Sequence, residues 1–196
     1  MTTATKDANF PLAGIATDGW SNEDEATATC LCGTVQLAFP THGPGLVSRF
    51  VCHCSDCRKI SSSMFCSNFS VRDSHLRYLR GKANLKSFTQ SATIASGNDM
   101  SNYFCGTCGT LLYRVSSGYP GLSILRLGTI DDFHLVEEKM RPQLEQFIET
   151  RVGWLQPVDG MAQVKGMMSK KDIKDIRSSG TQGTPGLSHS HIRNKL

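Results

Sequence analysis

The stretch Val51-Cys52-His53-Cys54-Ser55-Asp56-Cys57-Arg58 carries three of the chain's eight cysteines within six residues. Two further pairs lie on either side of it, in Cys30-Leu31-Cys32-Gly33 and in Cys105-Gly106-Thr107-Cys108-Gly109, and Cys66 stands alone. Two thiolates that are two or three residues apart can bind one tetrahedral ion, whereas a disulfide across Cys-x-Cys would be strained. The spacing therefore predicts metal binding rather than disulfide bonds.

The two outer pairs together supply four thiols from two corners that are distant in sequence. We call them the four-cysteine group: Cys30, Cys32, Cys105 and Cys108. Cys-x-x-Cys-Gly is a zinc-knuckle pattern, and glycine permits the reversed turn that it requires. Four thiolates predict a closed, structural zinc site, in which the free energy of zinc binding, on the order of 10 kcal/mol, acts as folding free energy.

The central stretch has only three thiols within reach of one ion. We call them the three-cysteine group: Cys52, Cys54 and Cys57. Three protein ligands plus water or substrate is the arrangement of a catalytic zinc site. Two residues could close this site instead. They are His53, whose side chain is expected to point away from the ion, and Cys66, whose strand position beside Phe65 and Phe69 favours a buried structural thiol.

Polar residues after the third cysteine are weaker candidates for function. Arg58, Lys59 and the run Ser61-Ser62-Ser63 could bind a substrate carboxylate, but a solvated loop explains them equally well. Asp56 is a candidate acid or base and equally a turn residue, while His134 is expected on the surface. No nucleophilic triad, phosphate loop or dinucleotide fingerprint is present in the sequence.

Composition and charge exclude several classes of protein. The chain has 196 residues, of which 39% are hydrophobic, and a formal net charge of +4. Its basic residues form no stripe with interleaved aromatic residues, so nucleic-acid binding is not predicted. No apolar run approaches the ~18 residues of a membrane span, and residues 1–20 lack the apolar region of a signal peptide. We therefore expect a cytoplasmic protein with reduced thiols and no membrane partner.

The pattern of apolar residues divides the chain into three parts. Short alternating segments rich in β-forming residues predict a mainly β, zinc-binding domain over residues 25–163. A flexible arm is expected over residues 1–24. A largely disordered tail, rich in Ser, Gly, Thr and Pro, is expected over residues 164–196.

Four details of the β domain are also predicted. Asp56–Ser63 is expected to form a short helical turn and Ala92–Ala95 a strand. Gln143–Thr150 has apolar residues at helical spacing but is short enough to be an extended edge instead. Trp154 is expected to pack on the core.

The cysteine motifs resemble those of a known family. Cys-x-Cys-Gly, Cys-x-Cys-x-x-Cys-Arg, Phe-Cys-x-x-Cys-Gly-Thr, a Gly-Thr-Ile-Asp-Asp segment and a late Trp are similar to the glutathione-dependent formaldehyde-activating enzymes, a family that includes centromere protein V. Here they occupy Cys30–Gly33, Cys52–Arg58, Phe104–Thr110, Gly128–Asp132 and Trp154, and the resemblance covers roughly residues 26–157.

The resemblance implies a β-tent fold of packed antiparallel sheets with two zinc ions per chain. The structural zinc would lie on the four-cysteine group and the catalytic zinc on the three-cysteine group. The reaction implied is addition of glutathione to formaldehyde, which gives S-hydroxymethylglutathione. The sequence departs from the family pattern after the catalytic cluster, where Ser62-Ser63-Met64-Phe65-Cys66 replaces small residues.

Three hypotheses about function follow. The first is a zinc-dependent carbon–sulfur lyase that acts on glutathione or a related thiol adduct, in detoxification or secondary metabolism, with Arg58 as a candidate substrate contact. The second is a non-catalytic, zinc-stapled binding module. The third is a zinc enzyme of another type, such as a decarboxylase, hydrolase or isomerase. An exposed sheet edge would also permit a homodimer.

Overall fold

The structure, a computed structural model, describes residues 14–169 and 171–174, and in this part of the chain strands dominate. The strands are β1 Glu25–Thr29, β2 Gln36–Pro40, β3 Leu46–Cys52, β4 Cys66–Arg72, β5 Arg77–Arg80, β6 Leu85–Gln90, β7 Met100–Cys105, β8 Leu111–Ser116, β9 Leu122–Arg126, β10 Leu144–Gln146 and β11 Ala162–Val164. The helices are α1 Ser55–Ser61 and α2 Phe133–Glu137.

Two sheets organise these strands. The small sheet has the order β1-β2-β5, and the large sheet has the order β11-β10-β3-β4-β9-β8-β7-β6. Pairing is antiparallel except at one end of the large sheet, where β10 runs parallel to both β3 and β11. The predicted mainly β fold of packed sheets with short helices is confirmed, and the parallel pairs add a mixed sheet to it.

The main hydrophobic core lies between the two sheets. Phe39 of β2 contacts Phe69 of β4, with the ring centroids 4.7 Å apart, and both side chains are fully buried. The hydroxyl groups of Tyr78 on β5 and Tyr113 on β8 are 2.7 Å apart and extend the same contact. Since alternate residues of a strand face opposite sides, the alternation of these segments commits one face of the large sheet to this core.

The opposite face of the large sheet carries a second, smaller cluster. Phe50 of β3 and Leu144 of β10 are buried there together with Cys52, Cys57 and Cys66. The three-cysteine group is therefore embedded beside a separate apolar cluster. It lies on the other side of the sheet from the main core.

Two predicted details are wrong. Residues 92–95 form no strand but a pair of turns, in which the Ile94 amide donates to the Ser91 carbonyl and the Gly97 amide donates to the Ile94 carbonyl. Trp154 does not pack on the core, because its side chain is 71% exposed. It lies in a segment without regular secondary structure, where no ladder of hydrogen bonds fixes which side chains point inward.

Gln143–Thr150, for which helix and extended edge were both considered, is extended over β10. The strand is not at an edge, since β3 and β11 flank it. It ends at Phe147, whose φ of +58° belongs to the left-handed region, and a 3-10 turn over Ile148–Thr150 follows. The left-handed residue turns the chain after three strand residues, so neither a helix nor a long strand forms.

The predicted boundaries of the three parts stay a prediction, because residues 1–13 and most of the tail lie outside the described residues. Residues 14–24 form hydrogen bonds with the β domain. The Ile15 amide donates to the Leu31 carbonyl at 2.9 Å, and Nη2 of Arg80 donates to Asp18 at 2.9 Å. No helix in the described ranges is long and apolar enough to cross a membrane.

Candidate metal centres

The structure brings the four sulfurs of the four-cysteine group together. All lie within 4.8 Å of one another, with 3.5 Å between the sulfurs of Cys30 and Cys32 and 3.7 Å between those of Cys32 and Cys105. A tetrahedral zinc ion with Zn–S bonds of about 2.3 Å places its sulfurs about 3.8 Å apart. The four thiols thus fit a zinc ion in both chemistry and spacing.

Neutral donors surround these four sulfurs. The hydroxyl oxygen of Thr34 lies 3.1 Å from Sγ of Cys32, and that of Thr110 lies 3.2 Å from Sγ of Cys108. The side-chain amide of Asn84 donates to Sγ of Cys105 at 3.3 Å. Such contacts orient ligands and reduce the negative charge on thiolates. These three side chains thus supply the hydrogen bonds to ligand atoms that are typical of a metal site.

The three-cysteine group lies where β3 ends and α1 begins. Its sulfurs are also within 4.8 Å of one another. Cys52 is the last residue of β3, and Cys54 caps α1 by accepting a hydrogen bond from the amide of Cys57 at 3.4 Å. The strand end and the first helical turn therefore bring the three sulfurs of Cys-x-Cys-x-x-Cys close enough to bind one ion. Cys52 and Cys57 are buried, whereas Cys54 is half-buried.

Hydrogen bonding within this group concentrates negative charge on one sulfur. Contacts with the thiols of Cys52 and Cys57 outweigh burial and lower the pKa of the Cys54 thiol to about 2, with a smaller contribution from the charge of Arg114. The contact with Cys54 raises the pKa of Cys52 to about 12. A divalent metal ion that binds all three sulfurs must therefore release protons from the group.

Neither of the two residues considered as a fourth ligand joins the group. His53 is fully buried, and its Nε2 lies 3.8 Å from Oε2 of Glu145. Its pKa is lowered mainly by burial, so the imidazole is neutral. Glu145 in turn accepts from Nη1 of Arg151 at 2.5 Å. His53 is held to β10 by its backbone, whose amide donates to the Gln146 carbonyl at 3.1 Å, while neither ring nitrogen has a hydrogen-bond partner among the described residues.

Cys66 is a buried thiol next to the group. It is 4% exposed, and its sulfur donates to the backbone carbonyl of Cys57 at 3.1 Å. Hydrogen bonding with Cys57 and the charge of Arg126 outweigh burial and lower the pKa of Cys66 to about 6. Cys66 thus lies beside the three-cysteine group without belonging to its three mutually close sulfurs, and its role as a structural thiol stays a prediction.

The remaining candidate residues lie on the two helices, Asp56 and Arg58 on α1 and His134 on α2. Arg58 is half-buried in α1, and its role as a substrate contact stays a prediction. Asp56 accepts a hydrogen bond from the Thr93 hydroxyl at 2.6 Å, which ties α1 to the turn after β6. His134 lies on α2, is half-exposed and faces Glu138 at 3.4 Å. Asp56 thus connects two elements, and its role as an acid or base stays a prediction.

Sequence analysis missed two arginines beside the three-cysteine group. Nη1 of Arg114, on β8, donates to Sγ of Cys57 at 3.6 Å. Arg126, on β9, donates to the side-chain carbonyl of Asn68. Both arginines are more than nine-tenths buried. The available signal was an arginine in each of two largely apolar strands, within β8 and at the end of β9, since a buried strand seldom holds an unpaired charge.

Solved structures and curated proteins offer little similarity to this chain. A crystal structure of a Rhodobacter sphaeroides protein, solved as a structural-genomics target, is 19% identical in sequence. The match covers 70% of this chain and 98% of that chain, with a TM-score of 0.41. Similarity at that level supports no conclusion about the fold or function of this chain. None of the curated proteins matches the chain significantly.

The family comparison is decisive. The model for glutathione-dependent formaldehyde-activating enzymes matches residues 25–150. This range starts at β1 and ends just after β10, and it contains both cysteine groups and the two buried arginines. The match covers well over half of the chain, and the chain belongs to the glutathione-dependent formaldehyde-activating enzyme family.

Proposed function

We propose that the protein is a zinc-dependent lyase that forms or breaks the carbon–sulfur bond of a glutathione or related thiol adduct. One observation carries the proposal. The four-cysteine group supplies all four sulfurs of a tetrahedral site, but the three-cysteine group supplies three, and among the described residues no further His, Cys, Asp or Glu joins it. Three protein ligands are typical of catalytic zinc.

The chemistry balances without an oxidant or reductant. In the forming direction the S–H bond of a thiol adds across the carbonyl of an aldehyde, so a C–S bond forms and the proton passes to the oxygen. The reverse reaction breaks the C–S bond and restores both the thiol and the carbonyl. Zinc held by three thiolates would supply the lowered pKa of a bound thiol and the polarisation of a carbonyl oxygen.

The protein's own residues prepare the site for such a substrate. Cys52 and Cys57 are buried and keep water from one side of the group, whereas the half-buried Cys54 leaves an approach. The guanidinium group of Arg114 beside Cys57 places a positive charge against the sulfurs. That charge lowers the electrostatic cost of bringing another anionic sulfur to the group, because the interaction is strong in a buried setting.

Family membership supports glutathione as the thiol and formaldehyde as the electrophile, and we extend the proposal to adducts of other small thiols. The alternative of a binding module rested on Cys66 or His53 closing the second site. Both lie outside the group of three sulfurs. Cytoplasmic location and a homodimer stay predictions.

The test is turnover in excess of the spontaneous reaction. Glutathione and formaldehyde would be mixed at equilibrium with S-hydroxymethylglutathione, and exchange between them followed by NMR with and without zinc-loaded protein. We expect acceleration by the wild type and none by Cys54→Ala, with the zinc content of each measured in parallel. Absence of acceleration for glutathione, cysteine and cysteamine alike would refute the proposal.

A further inference from the structure

The buried face of the large sheet holds two arginines with free hydrogen-bond donors. Arg114 is 6% exposed and Arg126 is 7% exposed. Nε of Arg114 and both Nε and Nη2 of Arg126 have no partner within the described residues. Burying a guanidinium group without satisfying its donors is unfavourable. The described part of the chain therefore provides no acceptor for these donors.

Strand register places both arginines on the face that carries the three-cysteine group. Cys52 pairs with Cys66, and Asn68, two residues further along β4, pairs with Arg126. Alternate residues of a strand share a face, so these side chains line one surface, with successive positions about 7 Å apart. Arg114 pairs with Ile124, two residues before Arg126, and thus shares that face.

The free donors of Arg126 form one edge of its guanidinium group. Nη1 is held by the side-chain carbonyl of Asn68, which fixes the plane of the group. The remaining pair, Nε–H and Nη2–H, are parallel donors, and this fork matches the two oxygens of a carboxylate. A hydroxyl or a single carbonyl oxygen would satisfy only one of them. The geometry thus suits a planar oxyanion.

The carboxylates of the described residues leave these two arginines unpaired. The neighbouring carboxylate of Glu145 is already paired with Arg151. No carboxylate among the described residues is bonded to Arg114 or Arg126, so an incoming carboxylate would meet no competing ion pair there.

We propose that Arg126, assisted by Arg114, binds a carboxylate of the thiol substrate and so selects thiols that carry an anionic group. This inference rests on the proposed function and specifies its substrate class. Arg126 is the specificity-determining residue, while Arg114 on the same face contacts Cys57. A carboxylate of glutathione meets this requirement, and so does any small mercapto acid.

The experiment compares two thiols that differ only in the anionic group. Binding of 3-mercaptopropionate and of its methyl ester to the zinc-loaded protein would be measured by isothermal titration calorimetry. We expect the acid to bind roughly 10- to 100-fold more tightly than the ester, the ratio typical of charge-assisted hydrogen bonds. Arg126→Gln should reduce that ratio to about one and leave the affinity for the ester unchanged.

Arg77→Gln is the matched control, because Arg77 is half-exposed and pairs with Glu25 at 2.6 Å on the small sheet. It should keep the ratio of the wild type. Equal binding of acid and ester by the wild type would overturn the inference, and this comparison needs no variant to fold. An equal loss of the ratio in Arg77→Gln and Arg126→Gln would also overturn it.

The two proposals fail separately. Discrimination between acid and ester without any acceleration of adduct exchange would refute the lyase and keep the carboxylate site. Acceleration without discrimination would refute the carboxylate site and keep the lyase.

Discussion

The four-cysteine group joins two corners of the fold, and its members Cys32 and Cys105 are 73 residues apart in the chain. The three-cysteine group is contained in one strand end and one helical turn, over residues 52–57. An ion in the first group links β1, β2, β7 and β8. An ion in the second group would link only β3 and α1, which are already consecutive in the chain. The same ligand atom thus serves folding in one place and is free to serve chemistry in the other.

The hydrogen-bond donors around the two cysteine groups also differ, being neutral at the first and charged at the second. Hydroxyl and amide groups of Thr34, Asn84 and Thr110 contact the sulfurs of the four-cysteine group. The three-cysteine group receives a guanidinium group from Arg114, with Arg126 nearby. Neutral donors are sufficient for a site that never changes its ligands. A cation is useful where an additional anion has to be admitted.

The largest effect is expected from breaking the four-cysteine group. In Cys105→Ser we expect loss of cooperative folding, because structural zinc contributes about 10–16 kcal/mol and the net stability of a domain is only about 5–15 kcal/mol. Circular dichroism and thermal melting measure this. A variant that melts within a few degrees of the wild type and keeps two zinc ions would show that the group is not the staple of the fold.

A smaller effect on the fold is expected from breaking the three-cysteine group. Cys54→Ala should lower the zinc content from two ions to one and abolish turnover. It should cost about 1 kcal/mol of stability through the lost helix cap, or a shift in Tm of about 2–4 °C. Elemental analysis and melting curves check both. If Cys54→Ala unfolds like Cys105→Ser, the distinction between the two groups disappears.

A subtler change tests the neutral donors. Asn84→Ala removes the amide that donates to Cys105, and we expect zinc affinity at the four-cysteine group to fall about 10- to 100-fold, as is typical for second-layer partners. Competition with a chromogenic chelator measures it. Thr89→Ala is the control, because Thr89 bonds only Ser101 on the exposed part of β6. Equal zinc affinity in the two variants would contradict the assignment.

Much of this comparison was accessible from the sequence, because ligand spacing is a local property. A pair such as Cys30 and Cys32 can meet one ion only if the chain turns between them, and alternation of apolar residues reports which face of a strand is buried. These two signals predicted the sheets and both cysteine groups. They act over a few residues and do not depend on how distant strands are aligned.

The sequence shows that Arg114 and Arg126 lie in apolar strands, but it does not show which groups they contact. Arg114 reaches Cys57 only because β8 lies two strands from β4 in a particular register. A one-residue slip of β8 would put Arg114 in the main core, where its charge could not be accommodated. Likewise, Trp154 was misplaced because an aromatic side chain favours burial on average but no periodicity fixed its direction. Register and irregular segments are set by tertiary packing.

The smallest effect is expected at Cys66, and it sharpens the comparison most. Cys66→Ala removes a buried thiol that donates to the Cys57 carbonyl, so we expect a loss of about 1 kcal/mol and a zinc content that stays at two. Elemental analysis beside a melting curve decides between two structures of the site. A fall to one zinc ion would make Cys66 a fourth ligand, and both cysteine groups would then be closed. A count of two leaves three protein sulfurs on the second ion, which is the condition for a substrate thiol to become the fourth.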